Sequence, residues 1–321
     1  MAKYFLYRLL AFIPKLFIIS IIIFISIQLM PGDPVLYLIP FEQRINQDPA
    51  QVALLREALG LNAPAVIRYF HWLGDMLSGN LGYSLVSGAK ITDLLAQRIP
   101  ATLELCSISL LFSSIVGLLF GFFSAIRQNT FVDYINTALG IIFISVPEFF
   151  FGLTGIMFFS INLKWLPTGG RMAPGKEAFF NRLEFLVLPC ICLGLALVAT
   201  LMRYTRGSML DVLNKDYIRT SRAKGVGRLM VQIKHGFRNA LTPVVIILTG
   251  RLTFLVSGAV IVENVFNYPG MGTMLLNAMN GKDMPVIMVT TFLITVVILF
   301  SSLLIDLAAA ALDPRIRFGK Q

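Results

Sequence analysis

Ionisable side chains in or beside long apolar stretches are the residues of this sequence best placed to do chemistry. They are Glu104, Glu148, Arg251, Glu263 and Asp306. Charge inside a membrane is costly, so such a residue by default lines a cavity or finds a partner within a helix bundle. Glu148 and Arg251 are candidates for a polar pathway, and Arg251 either contacts a ligand carboxylate or pairs with Glu148 or with another chain. The other three lie near the ends of their stretches, which favours hydration or helix capping.

One segment has the spacing of a phosphate-binding loop. Gly170 to Lys176 satisfies GxxxxGK. Glu177 follows where a Ser or Thr would hold magnesium, and no strand is predicted before the segment. We therefore expect no nucleotide there. Since no nucleophile, base and orienting group occur together elsewhere, we do not expect an enzyme.

The cysteines do not have the spacing of a zinc site. Cys106, Cys190 and Cys192 all fall in or beside apolar stretches, where a thiol behaves as a small hydrophobic group. His71 and His235 are predicted on opposite sides of a membrane. We therefore expect ordinary buried thiols and no bound metal.

The elements that position these residues are membrane spans. Hydrophobic residues make up 56% of the 321 residues and charged residues 14%, against about 25% charged in soluble proteins. Six apolar stretches approach or exceed the roughly 20 residues needed to cross a bilayer. These are Leu9 to Met30, Thr102 to Ile126, Tyr134 to Leu163, Phe185 to Met202, Ala240 to Val262 and Pro285 to Leu307. The sequence predicts an all-α integral membrane protein of one domain, residues 1–321, with Pro147 breaking or kinking the third stretch.

Charge distribution predicts the orientation. Sixteen Lys and Arg lie in the two terminal segments, the Arg127 turn and the loop from Arg203 to Arg238, against ten in the other loops. By the positive-inside rule both termini are cytoplasmic. The net charge of +10 is therefore explained without nucleic acid. The first apolar run lacks a small-x-small cleavage site, so we expect it to be retained as a span.

An external helical insertion, about residues 31–100, follows the first span. Capping signals predict helices near Pro49 to Leu59 and Pro64 to Leu77. In the second helix, Ile67, Phe70, Leu73 and Leu77 are expected to form one apolar face, which packs on the first helix or on the membrane surface. Farther along, a GxxxG pattern from residue 117 to 121 predicts close helix packing within the chain.

A basic loop, about residues 203–240, separates two apolar spans. Asp216 is predicted to cap a helix from Tyr217 to Lys224 that Gly225 closes in the left-handed conformation. Thr242 and Pro243 resemble the cap and first position of the next span. A short, well-terminated helix at a membrane face is suited to the groove of a partner protein.

Several ordered blocks carry a resemblance to a known family. They are Pro31-Gly32-Asp33-Pro34, Ala101-Thr102-Leu103-Glu104-Leu105, the loop Tyr217 to Gly225, Arg238-Asn239-Ala240-Leu241 with Pro243, Glu263 with Phe266, Pro269, Gly270 and Gly272, and Asp313-Pro314-Arg315-Ile316-Arg317. Through them nearly the whole chain resembles permease subunits of bacterial ABC importers of the dipeptide, oligopeptide and nickel branch.

The resemblance implies a type I importer fold of six transmembrane helices in the bacterial cytoplasmic, or inner, membrane. Its implied partners are a second homologous permease subunit, two ATP-binding subunits, an extracytoplasmic substrate-binding protein and membrane lipid. ATP and magnesium would be bound by the ATPase subunits, and no cofactor by this chain. The external insertion would either dock the binding protein or only cover the ends of the spans.

The resemblance also assigns the basic loop to ATPase coupling. The residues concerned are Tyr217, Ile218, Arg219, Thr220, Ser221, Arg222, Ala223, Lys224 and Gly225. Ile218 and Ala223 are expected to supply apolar contacts to an ATPase, and the three cations charge and hydrogen bonds. Glu148 and Arg251 become candidates for the translocation pathway. The expected cargo is a di- or oligopeptide, with nickel or another chelated metal as the alternative. An ion-coupled secondary transporter or channel is a further alternative, which the absence of an inverted repeat disfavours.

Overall fold

A computed structural model of the chain describes residues 2–30, 49–58, 60–175 and 178–312. These residues are helical apart from loops, turns and an isolated bridge between Tyr83 and Lys90. The helices are α1 (Ala2–Gln28), α2 (Pro49–Ala58), α3 (Ala65–Ser78), α4 (Ile91–Ile126), α5 (Phe131–Ser145), α6 (Glu148–Gly155), α7 (Phe179–Leu213), α8 (Asp216–Ala223), α9 (Arg228–Met230), α10 (Arg238–Val265), α11 (Met271–Gly281) and α12 (Met284–Leu312). Two π-helical segments, Ile156–Asn162 and Val231–Phe237, follow α6 and α9.

Four of the described helices are long and apolar enough to cross a membrane. Their spans are Leu10–Gln28, Ile91–Ile126, Phe180–Leu213 and Met284–Leu304. The pair Phe131–Ser145 and Glu148–Asn162 adds a fifth if its two halves are one span, and α10 contains a shorter apolar stretch, Leu255–Val265. The predicted class, an all-helical membrane protein, is confirmed.

Pro147 breaks its span, as the sequence predicts. The axes of the two halves meet at 101°, and Pro147 is the residue that precedes α6. The prediction at Thr242 and Pro243 is wrong, because α10 begins at Arg238 and includes Pro243. The helix is already under way there, since the π-helical segment Val231–Phe237 runs directly into it.

The centre of the protein is formed by α4, α7 and α10. Leu105, Leu197 and Leu255 are almost completely buried in one apolar cluster that these helices share. A Cβ on Gly117 would lie 2.7 Å from the Cβ of Leu201, and one on Gly121 only 2.6 Å from the Cβ of Thr205. The GxxxG pattern therefore packs α4 against α7 inside the chain, as predicted.

The second insertion helix packs on the spans with a face that the sequence did not indicate. Tyr69 is buried and contacts Phe24 of α1, and Trp72 contacts Phe292 of α12. Of the predicted apolar face, Leu73 is partly buried and Ile67, Phe70 and Leu77 are exposed, so packing of this face on the membrane surface stays a prediction. The aromatic residues win because they bring the larger apolar area to the spans. Residues 31–48 and Leu59 lie outside the described part of the chain.

Candidate coupling surface and pathway cavity

The predicted helix of the basic loop is present as α8, with its start shifted by one residue. Lys215 precedes the helix, and Asp216 is its first residue rather than its cap. The Asp216 carboxylate instead lies 3.9 Å from the Arg219 guanidinium, and the Ile218 amide donates to the Lys215 carbonyl at 3.1 Å. At the other end Gly225 has φ +77°, so the predicted left-handed closure is confirmed.

Ile218 does not face outward. Its side chain is completely buried, and α8 packs on the π-helical segment Val231–Phe237. The expectation that Ile218 contacts an ATPase is therefore wrong, since it holds α8 to the rest of its own chain. The sequence could not decide whether Ile218 faces the chain or a partner. It is the one large aliphatic residue of α8, and either surface could bury it.

The outward side of this region is basic and apolar. Tyr217, Arg219, Thr220, Arg222, Ala223, Lys224 and Gly225 are exposed, and Ser221 is partly exposed. Leu229, Met230 and Ile233 on the following turns are about half exposed or more. Sequence reasoning missed these three as contact residues, although large apolar side chains beside a basic helix are a usable signal. We call the exposed residues of 217–233 the basic surface.

The basic surface is firmly connected to the spans. The Phe237 ring lies 5.4 Å from that of Phe122 in α4. A Cβ on Gly236 would lie 3.2 Å from Leu213, at the end of α7. Because packed interiors transmit displacement rather than absorbing it, displacement of α8 would reach α4 and α7, two of the three central helices.

An ion pair that the sequence did not reveal lies at the same end of the bundle. The Arg206 guanidinium of α7 donates two hydrogen bonds to Asp133 of α5, at 2.7 and 2.8 Å. Asp133 also accepts the Asn129 amide at 3.0 Å. The two side chains are 73 residues apart, so no local pattern indicates the pair. It joins the broken span to α7.

Glu148 and Arg251 line one cavity. Its volume is about 260 Å³, and its wall includes Thr200, Arg203 and the bend at Pro147. A Cβ on Gly258 would lie 3.1 Å from Glu148 Oε2. Arg251 is two helical turns before Gly258 and so on the same face of α10. The structure therefore brings both candidate pathway residues together at the broken span, and their roles stay predictions.

In the first half of α4, Glu104 is the centre of a charged cluster. Its Oε2 accepts hydrogen bonds from Arg171 at 2.9 and 2.5 Å and lies 3.3 Å from an Arg182 nitrogen. Tyr268 donates its hydroxyl to the same oxygen at 3.4 Å. Burial raises the pKa of Tyr268, which keeps that hydroxyl protonated. The expectation of hydration or capping for Glu104 is thus wrong, because Glu104 forms ion pairs with Arg171 and Arg182 from two other segments.

Glu263 is the capping carboxylate that the sequence allowed. It is completely buried and accepts the amides of Gly272 and Thr273, at the start of α11, at 2.7 and 3.3 Å. Thr102 of α4 donates to its other oxygen at 2.6 Å. This one side chain therefore joins α4, α10 and α11. The side chain of Asp306 lies outside what the structure describes.

The loop with phosphate-binding spacing is used to pack. The amide of Gly170 donates to the Phe266 carbonyl at 2.8 Å, and residues 163–175 contain no strand. Lys176 and Glu177 lie outside the described residues. Cys190 and Cys192 are buried free thiols and Cys106 is a partly buried one, as expected.

Comparison with known proteins covers nearly the whole chain. Residues 117–318 match the family model of the binding-protein-dependent transport system inner membrane component, and residues 1–106 match the N-terminal membrane component of such systems. The chain belongs to this family. It is an ABC importer permease of the peptide and oligopeptide group, as predicted, and an inner membrane component.

Curated relatives of this permease match it from end to end. A putative peptide permease protein of Brucella suis is 41% identical over 320 residues, which cover 99% of each chain. An oligopeptide transport system permease protein of Bacillus subtilis is 39% identical, covering 99% of this chain and all of the relative. A glutathione transport system permease protein of Escherichia coli K12 is 36% identical over 318 residues.

Proposed function

We propose that this chain forms half of the translocation pathway of an ATP-driven importer for di- or oligopeptides. An extracytoplasmic binding protein delivers the peptide, a second homologous permease supplies the other half, and two ATPase subunits drive the cycle. The single observation that carries the proposal is the basic surface of this peptide-permease family member, because buried Ile218 holds α8 to the segment Val231–Phe237, and that segment contacts α4 and α7.

The membrane arrangement that we propose has six spans, in the type I importer manner, with both termini in the cytoplasm. Counting the broken span as one and α10 as another gives six segments. The excess of Lys and Arg in and around α8 supports placing α8 on the cytoplasmic side. The ATPases would then meet the basic surface there.

In the proposed cycle the ATPase subunits bind ATP and magnesium, and this chain binds neither. The basic surface fits a groove of an ATPase, with contacts from the exposed cations of α8 and from Leu229 and Ile233 on the following turns. Closure of the ATPases then displaces α8. The displacement passes through Phe237 to α4 and through Gly236 to α7. The central helices then rearrange between inward-open and outward-open states.

The cavity of Glu148 and Arg251 is the proposed contact with cargo. A peptide has a cationic and an anionic end, and a guanidinium binds a carboxylate in a planar, two-bond geometry. Arg251 would hold the carboxylate while Glu148 faces the amino end.

Reconstitution into liposomes tests the proposal. The complete complex should accumulate a labelled dipeptide only when ATP and the binding protein are both present. This chain alone should accumulate none under a proton or sodium gradient. Uphill uptake by the chain alone would refute the proposal and favour the secondary-transporter alternative.

A further inference from the structure

The side chains of α3 fall mainly on three faces, and Ile67, which is 47% exposed, lies between the apolar and polar ones. At about 100° per residue, side chains three, four, seven or eleven apart share a face. Tyr69, Trp72, Leu73 and Met76 face the protein; Val66, Phe70 and Leu77 form an exposed apolar face; and Arg68, His71, Asp75 and Ser78 form a polar face. The three apolar residues are 66%, 58% and 78% exposed. An extramembrane helix has no reason to keep such a face toward water.

The side of α3 that faces the protein lies deeper in the membrane than the Gln28 end of α1. α1 has no charged residue from Leu16 to Gln28, and these 13 residues rise about 20 Å at 1.5 Å per residue, so all of them are needed within a core of about 30 Å. Ser20 is eight residues, about 12 Å, inside the Gln28 end. The Tyr69 hydroxyl is hydrogen-bonded to the Ser20 hydroxyl at 2.8 Å. Tyr69 therefore lies at hydrocarbon depth.

A second span gives the same depth. The rings of Trp72 and Phe292 are 6.0 Å apart, and Phe292 is eight residues inside the start of α12 at Met284. The polar side of α3 meets the end of α1 instead, where Arg68 donates to the Gln28 side chain at 2.7 Å. The helix thus has its aromatic residues below the boundary and its polar residues at it.

We propose that α3 is an interfacial helix whose exposed apolar face, Val66, Phe70 and Leu77, is covered by the acyl chains of the leaflet at the Gln28 end of α1. A helix with protein on one side, water above and lipid below needs three faces in this order, and α3 has them. Amphipathic helices that lie in the membrane plane bury their apolar side at the boundary of headgroups and acyl chains. A binding protein that docks on the insertion would then use α2 or the polar face of α3.

Tryptophan quenching tests the proposal on the complete importer in lipid nanodiscs. Both tryptophans of this chain, Trp72 and Trp165, are first changed to Phe. One probe is then introduced as Phe70→Trp, and a second as Val66→Trp in case the first impairs assembly. Tyr83→Trp is the matched control, because Tyr83 is 58% exposed like Phe70 but lies beyond α3 in the Tyr83–Lys90 turn.

The α3 probes should lose most of their emission in phosphatidylcholine brominated on its acyl chains and little with acrylamide, and the control should show the reverse. Acrylamide quenching of the α3 probes equal to that of Tyr83→Trp would overturn the proposal, since the face would then meet water. Resistance to both quenchers would also overturn it, because protein would then cover the face. So would loss of bromolipid quenching when liganded binding protein is added.

Discussion

Replacing Gly225 with Pro should uncouple ATP hydrolysis from transport. Gly225 has φ +77° at the end of α8, where proline's ring requires a φ near −65°. The change also removes the Gly225 amide that donates to the Arg222 carbonyl at 3.0 Å, a bond worth about 1 kcal/mol. Nothing lies within 4 Å of a Cβ built there, so the damage is to the backbone and not to packing.

A graded series gives the magnitude. Gly225→Ala keeps the amide and meets only the left-handed penalty of about 1–2 kcal/mol, which lowers the population of the native turn by roughly tenfold. Gly225→Pro excludes the native turn altogether. In proteoliposomes that contain the complete complex, peptide taken up per ATP hydrolysed should fall partly for Ala and to near zero for Pro, while the complex still assembles.

Gly227 provides the matched control two residues away. Its φ is −58° with ψ 142°, which suits proline, and a Cβ there also meets nothing within 4 Å. Gly227→Pro should therefore transport almost as the unmodified complex does. The coupling role of α8 is refuted if Gly225→Pro transports at the normal ratio to ATP. Equal uncoupling by Gly227→Pro would show that any proline in this loop is harmful, and would remove the argument from φ.

Three further predictions concern packing and ion pairs. Gly121→Ala places a Cβ 2.6 Å from a side-chain carbon of α7 and should destabilise the complex by about 1–3 kcal/mol in thermal unfolding, whereas Gly155→Ala, whose Cβ has an ordinary 3.5 Å contact, should not. Asp133→Asn leaves Arg206 without its carboxylate and should lower the free energy of unfolding by about 3 kcal/mol. The double variant with Arg206→Gln should lose less, and an equal loss in the single and double variants would contradict the ion pair. Ile218→Ala removes a fully buried side chain and should reduce transport per ATP while ATP hydrolysis persists; unchanged coupling would show that α8 is anchored otherwise.

Sequence alone predicted those features that are local. The apolar stretches, the break at Pro147 and the closure at Gly225 each depend on residues within a few positions, whose backbone preferences are strong. The helix α8 was located to within one residue. The capping residue was misassigned by one position. Asp216 was predicted to precede the helix, whereas it is the first helical residue and Lys215 precedes it.

Sequence could not reveal which distant side chains meet. Glu104 and Arg171 are 67 residues apart, and Thr102 and Glu263 are 161 apart. The aromatic face of α3 was missed for a related reason, since the helix has two apolar faces and only the tertiary fold determines which of them packs on the spans. Ile218 shows the same limit, because burial within the chain and burial by a partner leave the same sequence pattern.

The buried carboxylate of Glu263 constrains where this permease can bend. Thr102 binds both Glu263 and the Met271 amide, at 2.6 and 2.8 Å, so α4 is fastened at one point to the end of α10 and the start of α11. Helices that share hydrogen bonds at one point are expected to move together as a rigid body. Bending is then expected outside this junction, and the 101° break at Pro147, beside the cavity of Glu148, is the place where the backbone already changes direction.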